Sequence, residues 1–296
     1  VDEPKEKPDA GWEVDKPKEK PDAGRELSGS EEKPDAGRKL PGGERSRDMV
    51  LENVTFSYEP GISVLKELSV TISGGKVTAV IGNNGSGKST LLKLLQGIYR
   101  PDSGRILLGG IPIDQIRQKQ LRRQFGYILQ NAPLFSGTIW DNIVYGVKGE
   151  VREEAVWQAA RLADADEFIR ALPQGYETDV GEAGSLLSGG QRQRIAIART
   201  LMTAPECLLM DEAGASLDHK SDMGIYRRVR QSMEGKSVVV VAHDMRTVAE
   251  ADHIIVLDQG RLEAAGSHEE LLKNSPTYRS YLERQSHGLA GKGEGR

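Results

Sequence analysis

The chain has 296 residues, a length that fits one large domain or two small ones, and its 40 lysines and arginines against 44 aspartates and glutamates leave a net charge of −4. That balance provides no large basic field, so nucleic acid is not an expected partner. No apolar run approaches the roughly 18–20 residues that cross a bilayer, and the opening VDEPKEKPDA has no apolar core for a signal peptide.

The only cysteine, Cys207, cannot form an internal disulfide and sits in an apolar run, which fits a buried thiol and a reducing compartment. The chain begins with valine rather than methionine and is expected to be a piece of something longer. In residues 1–47 the pentapeptide KPDAG starts at Lys7, Lys20 and Lys33, a repeat of 13 residues. Proline, glycine and charged residues dominate there, and too few apolar side chains are present to offset the entropy of ordering. An extended, disordered linker is the expected state; a docking motif repeated for avidity is the alternative.

The pattern changes at Met49, and one folded domain is expected over 48–287, with a flexible tail over 288–296. MVLENVTFSY and VLKELSVTIS alternate apolar and polar residues as half-buried strands do. The Gly74-Gly75 turn leads into a buried strand, VTAVI, and a glycine loop with a helix follows. Short strands are expected at Arg105–Leu108 and Phe125–Leu129, and a helical stretch over Val151–Ala171. Ile195, Ala198 and Met202 keep helical spacing, predicting a helix over Arg192–Met202. Strands over Cys207–Met210, Ser237–Ala242 and His253–Leu257 complete an alternation that implies a mainly parallel sheet with helices on both faces. Ligands bind such sheets beyond the carboxyl ends of the strands, so the residues after Ile81, Leu129, Met210 and Ala242 are the ones to read for chemistry.

After Ile81 comes Gly82-Asn83-Asn84-Gly85-Ser86-Gly87-Lys88-Ser89-Thr90, which fits G-x-x-x-x-G-K-[ST] between a strand and a helix. Its glycines let backbone N–H groups converge on phosphate oxygens and the helix N-terminus adds a favourable dipole, with Lys88 reaching the β- and γ-phosphates and Ser89 a Mg²⁺ ion. After Met210 come Asp211 and Glu212, suited to hold Mg²⁺ and to orient an attacking water. His243 follows Ala242 and is placed to bond a γ-phosphate, or else caps the surface. Gln130 follows Leu129 and is either a second contact to the metal or an ordinary strand-terminal polar residue.

A second glycine-rich turn, Leu187-Ser188-Gly189-Gly190-Gln191, opens the Arg192–Met202 helix. It has no lysine and nothing suited to Mg²⁺, yet offers free N–H groups at a helix N-terminus. A rigid sheet does not easily bring both loops onto one nucleotide, but two copies placed head to tail do, each presenting its second loop to the other's first.

These motifs together resemble the nucleotide-binding domain of ATP-binding cassette (ABC) transporters, over Met49–Gln285. The resemblance implies an α/β fold with a P-loop NTPase (RecA-like) core, an antiparallel β edge subdomain, and a helical subdomain at about 131–195 that carries the signature motif LSGGQ. By the same resemblance Tyr58 in Phe56-Ser57-Tyr58 is the aromatic on which adenine stacks, a residue otherwise read as strand-end core. Gln130 is the Q-loop glutamine, Asp218 the D-loop aspartate and His243 the switch histidine.

Leu134–Ile139, Asp141–Ile143, Leu172–Tyr176 and Thr178–Glu182 resemble exporters whose membrane and ATPase domains share one chain, and there they face the coupling helices of the membrane domain. Phe135 and Ile139 read equally as core residues of the helical subdomain. What is implied is an ATP- and Mg²⁺-dependent ATPase at the cytoplasmic face of a membrane, with a second nucleotide-binding domain and a transmembrane domain as partners. Departures lie at Gly214 and Ala215-Ser216 of the D-loop, at Asp179 and at Asp244; none removes a group that the chemistry needs. The competing readings are a non-transport ATPase on nucleic acid or ribosomes, and a cassette that binds nucleotide only as a switch.

Overall fold

A computed structural model describes residues 47–129, 133–211, 219–242 and 244–290. Three β-strands come first: β1 (Met49–Glu59), β2 (Ile62–Ile72) and β3 (Val77–Gly82). The helix α1 (Lys88–Leu95), strands β4 (Ser103–Leu108) and β5 (Ile111–Pro112), helix α2 (Gln118–Gln124) and strand β6 (Phe125–Ile128) follow. A helical section holds α3 (Ile139–Val144), α4 (Glu153–Leu162), α5 (Asp166–Ala171) and α6 (Gly189–Met202). The chain then returns to β7 (Cys207–Asp211), α7 (His219–Ser232), β8 (Ser237–Val241), α8 (Met245–Ala249), β9 (His253–Asp258) and β10 (Arg261–Gly266), and ends in α9 (His268–Asn274) and α10 (Pro276–Ala290).

Two sheets result. The smaller is antiparallel, in the order β2-β1-β4-β5, and the larger has the order β10-β9-β3-β8-β7-β6. Strands β9, β3, β8, β7 and β6 are parallel, and β10 joins the edge antiparallel to β9. The central strands are buried on both faces, because successive side chains alternate between two separate apolar cores. Ala79, Ile81, Leu208, Met210, Val238 and Val240 enter the core shared with α3–α7, whereas Val80, Leu209, Val239 and Val241 face α1 and the smaller sheet. Cys207 belongs to this second core, and burial pushes its thiol far above the ordinary range.

Several elements differ from the sequence reading. The single helical stretch expected over Val151–Ala171 is two helices, because Asp164 adopts a left-handed conformation (φ 60°) between them. Aspartate tolerates that region better than most residues, and here two arginines on other helices, Arg194 and Arg228, hold its carboxylate at 3.3 and 2.8 Å. The helix α6 begins three residues before Arg192, since Ser188 caps it. Leu129 lies just past the end of β6, and β10 and the two C-terminal helices carry no strong motif and were not expected. Of the pair that read as core or as docking surface, Ile139 is fully buried and Phe135 is exposed. The KPDAG repeats lie outside the described residues, and among the described residues no helix is long and apolar enough to cross a membrane.

Candidate functional site

At the carboxyl end of β3 the chain turns back over the sheet, and the glycines determine how closely. Gly82 lies against the neighbouring strand: a Cβ there would stand 2.1 Å from the carbonyl oxygen of Leu257 on β9. Gly87, at φ 100°, is the left-handed residue from which α1 starts, and it brings no side chain to cap that helix. The N–H groups of Lys88, Ser89 and Thr90 in the first turn consequently have no intrahelical acceptor.

Lys88 curls back under the loop and is nearly buried; its Nζ donates to the carbonyls of Gly82 and Asn83, 2.9 Å each. Inside the same turn the Oγ of Ser86 is buried with no hydrogen-bond partner. Asn83, Asn84 and Gly85 form the exposed lip, with Asn83 Nδ2 3.5 Å from Asp258 Oδ1. A buried ammonium, an orphaned hydroxyl and a helix N-terminus around one glycine cradle fit a phosphate chain.

Beside the cradle, Ser89 Oγ donates to Asp211 Oδ1 at 3.2 Å, and Tyr127 donates to Asp211 Oδ2 at 3.2 Å. Parallel pairing of β6 with β7 puts Tyr127 opposite Leu209, close enough for its hydroxyl to reach the end of β7. Burial raises the Tyr127 phenol well above its ordinary range, and the neighbouring Asp211 charge raises it further, so the group is a proton donor. The Ser89 hydroxyl and the Asp211 carboxylate are the hard oxygens that Mg²⁺ accepts, and both are accessible enough for a hydrated ion. Sequence motifs passed over Tyr127; the register of β6 against β7 was the only signal that could have found it.

The aromatic end of the site is built from β1 and α1. The Tyr58 hydroxyl lies 3.1 Å from Thr90 Oγ1, and Lys93 Nζ stands 5.7 Å over the ring. Phe56 and Tyr99 meet this ring edge-on at 4.9 and 5.3 Å. Tyr58 is thus held upright at the surface and is no strand-end core residue, being 36% exposed. Tyr99, part of the same cluster, was not anticipated.

The second glycine turn is a helix start. Ser188 Oγ accepts from the Gln191 N–H and Gln191 Oε1 accepts from the Ser188 N–H, a capping box that leaves the N–H groups of Gly189 and Gly190 pointing outward without intrahelical acceptors. Leu187 is buried and fastens the turn, while Ser188 and Gly189 are exposed. Arg192 secures it from below, donating to the carbonyls of Leu187 and Gly184 at 2.6 and 3.3 Å. Gln193, also buried, donates to the carbonyl of Leu129 at 3.0 Å and so places this helix beside β6. From β3 to β6 the sheet order counts three strand spacings, about 14 Å. Tyr58, Gly82–Thr90 and Asp211 gather at one place through the Tyr58–Thr90 and Ser89–Asp211 hydrogen bonds, whereas the helix that opens with Gly189 stands beside β6.

Four expected site residues, Gln130, Glu212, Asp218 and His243, lie outside the described residues. The residues before three of them, Leu129, Asp211 and Ala242, all stand at the carboxyl edge of the parallel strands.

On the helical section, the loop before α3 is tied by Asn142. Its Oδ1 accepts from Phe135 N–H at 2.9 Å and from Arg199 Nη2 at 2.7 Å, and its Nδ2 donates to the carbonyls of Phe135 and Thr138. This holds Phe135 outward against Tyr145, ring centroids 4.2 Å apart, with the Arg199 guanidinium 4.9 Å from the Phe135 ring.

A family model described as ABC transporter matches residues 65–215, from within β2 through the cradle and the capped helix to just beyond β7. The chain belongs to the ABC transporter family. It is 42% identical over 249 residues to the ABC multidrug transporter atrC of Emericella nidulans, covering 81% of this chain and 19% of that protein. It is 44% identical over 239 residues to mitochondrial ATP-binding cassette sub-family B member 10 of Mus musculus, covering 79% of this chain and 33% of that protein. The chain thus spans a fifth to a third of the length of these ABC relatives. The solved structure of a bacterial Atm1-family ABC exporter with ATP bound is similar to it with a TM-score of 0.81 and 39% identity, over 86% of this chain and 44% of that one. With that likeness, the fold is the P-loop NTPase fold of the exporter-type ABC nucleotide-binding domain.

Proposed function

We propose that this chain is the ATP-binding and ATP-hydrolysing motor domain of an ABC exporter, and that two such domains close around two ATP molecules. The observation that carries the reading is the juxtaposition of the glycine cradle, with Lys88 curled beneath it, and the Ser89–Asp211 oxygen pair. In it, the N–H groups of Gly85–Thr90 and the Lys88 ammonium bind the phosphates, Asn83 and Asn84 line the entrance, and Tyr58 stacks on adenine.

Ser89 and Asp211, with Gln130 after β6, hold the Mg²⁺ ion, whose positive charge offsets that of the phosphates. Glu212 orients the attacking water and accepts its proton, His243 bonds the transferred phosphoryl group, and Asp218 links the two sites. The placement of the signature helix beside β6, the edge strand three places from β3 in the sheet order, supports a head-to-tail pair, in which Ser188, Gly189, Gly190 and Gln191 of one copy reach the phosphate held by the other.

The partners of this domain are a second nucleotide-binding domain, identical or not, and a transmembrane domain whose coupling helices meet the Phe135–Tyr145 surface. That arrangement places the domain at the cytoplasmic face of a membrane, with hydrolysis driving substrate across it. Nucleic acid is not among the partners.

The test is Glu212→Gln. It is expected to abolish phosphate release, retain ATP, and convert monomer to dimer at saturating Mg·ATP in analytical ultracentrifugation. A variant that turns over ATP like the parent removes the assignment of Glu212, and one that binds ATP yet stays monomeric at high protein concentration removes the head-to-tail pair.

A further inference from the structure

We propose that Tyr127 is a positioning residue for the divalent cation: its hydroxyl fixes the orientation of the Asp211 carboxylate and thereby sets affinity for the metal independently of affinity for nucleotide. The inference rests on the reading of Ser89 and Asp211 as the cation site.

The two oxygens of Asp211 have different partners, Ser89 on Oδ1 and Tyr127 on Oδ2. An ionised carboxylate only accepts, so both hydroxyls donate to it. Ser89 lies on the exposed side of the cradle and is itself a cation ligand, so its bond to Oδ1 cannot be the fixed one. Tyr127 differs in being mounted on rigid structure. Its ring is partly buried against the core that contains Leu209 and Cys207, and its strand runs in parallel register with the strand that bears Asp211. With Oδ2 anchored from this side, Oδ1 and the Ser89 oxygen face each other at 3.2 Å as two hard donors. Partners of this kind behind a metal ligand orient it, and their loss typically weakens metal binding by about 10–100-fold.

The experiment uses the whole 296-residue chain and Tyr127→Phe, which keeps the ring and removes one oxygen. Mn²⁺ is titrated by water-proton relaxation in the presence of saturating ATP, and binding of a fluorescent ATP analogue is measured in EDTA. The expected result is a Mn²⁺ dissociation constant raised by about tenfold or more, with metal-free nucleotide affinity and melting temperature unchanged. In an Asp211→Asn background the same substitution should add nothing further, because the carboxylate it orients is gone. Unchanged Mn²⁺ affinity overturns the inference and leaves the nucleotide reading standing. A parallel loss of metal-free nucleotide affinity or of melting temperature also overturns it, assigning Tyr127 to packing. Failure of the parent chain to bind ATP in a cation-dependent way removes the underlying site reading instead.

Discussion

Replacing Asn142 by alanine tests whether one buried amide holds the helical section together. The side chain is 1% exposed and makes four hydrogen bonds, three with the neutral backbone of Phe135 and Thr138 and one with the Arg199 guanidinium. At about 1 kcal/mol for each neutral bond and about 2 for the charged one, the gross loss is about 5 kcal/mol.

Part of this is recovered. The Thr138 carbonyl keeps its bond from the Asn142 N–H, and Arg199 keeps its bonds to the carbonyls of Asn142 and Pro133. Water also reaches the part-buried Phe135 backbone groups, which brings the expected cost to about 3 kcal/mol. For a domain of this size that lowers the melting temperature by about 6–12 °C, readable by calorimetry. Asn142→Asp is expected to be no better, because it sets a carboxylate oxygen against two carbonyls. ATP affinity should survive in Asn142→Ala below its melting point, since the bonds it loses go to Phe135, Thr138 and Arg199 and not to the cradle after β3. A cost under about 1 kcal/mol would refute the reasoning, showing that the loop before α3 is held by packing alone.

Two further outcomes follow from particular atoms. Gly82→Ala drives a Cβ into the Leu257 backbone carbonyl and the Ser86 hydroxyl, costing about 3 kcal/mol, and it should abolish binding of a fluorescent ATP analogue. Gly85→Ala meets nothing within 4 Å and bears only its positive φ of 78°, about 1–2 kcal/mol; equal losses in the two variants would contradict the steric account. His253 concerns pH. Burial lowers its pKa below the ordinary 6.5, Lys76 lowers it further and Glu270 partly opposes this. The unfolded chain therefore binds the proton more readily, and stability falls as pH drops below about 6.5 toward the folded value. His253→Gln removes that component, so the variant should lose less stability than the parent between about pH 7 and pH 5 in urea titrations; identical slopes would exclude His253 as a source.

Much of the candidate site was legible because it is local. Strand, glycine loop and helix N-terminus follow one another between Val77 and Thr90, so the cradle needs no distant partner to be read. Asp211 was legible for the same reason, as the first polar residue after a buried run. Tyr127 and Tyr99 were not, since each acquires its meaning from a neighbour far along the chain. The break at Asp164 was hidden too, because Arg194 and Arg228, which hold its carboxylate, come from two later helices.

By itself the sequence determined the unbroken apolar runs of the central strands and the phosphate cradle, both of which depend on residues within a few positions of one another. Only the tertiary structure decided the strand order, and with it that Asp211 meets Ser89 while the signature helix stands beside β6. The physical reason is that hydrogen-bonded register between parallel strands is set by long crossovers and two-sided packing, which leave no mark in any short stretch of residues.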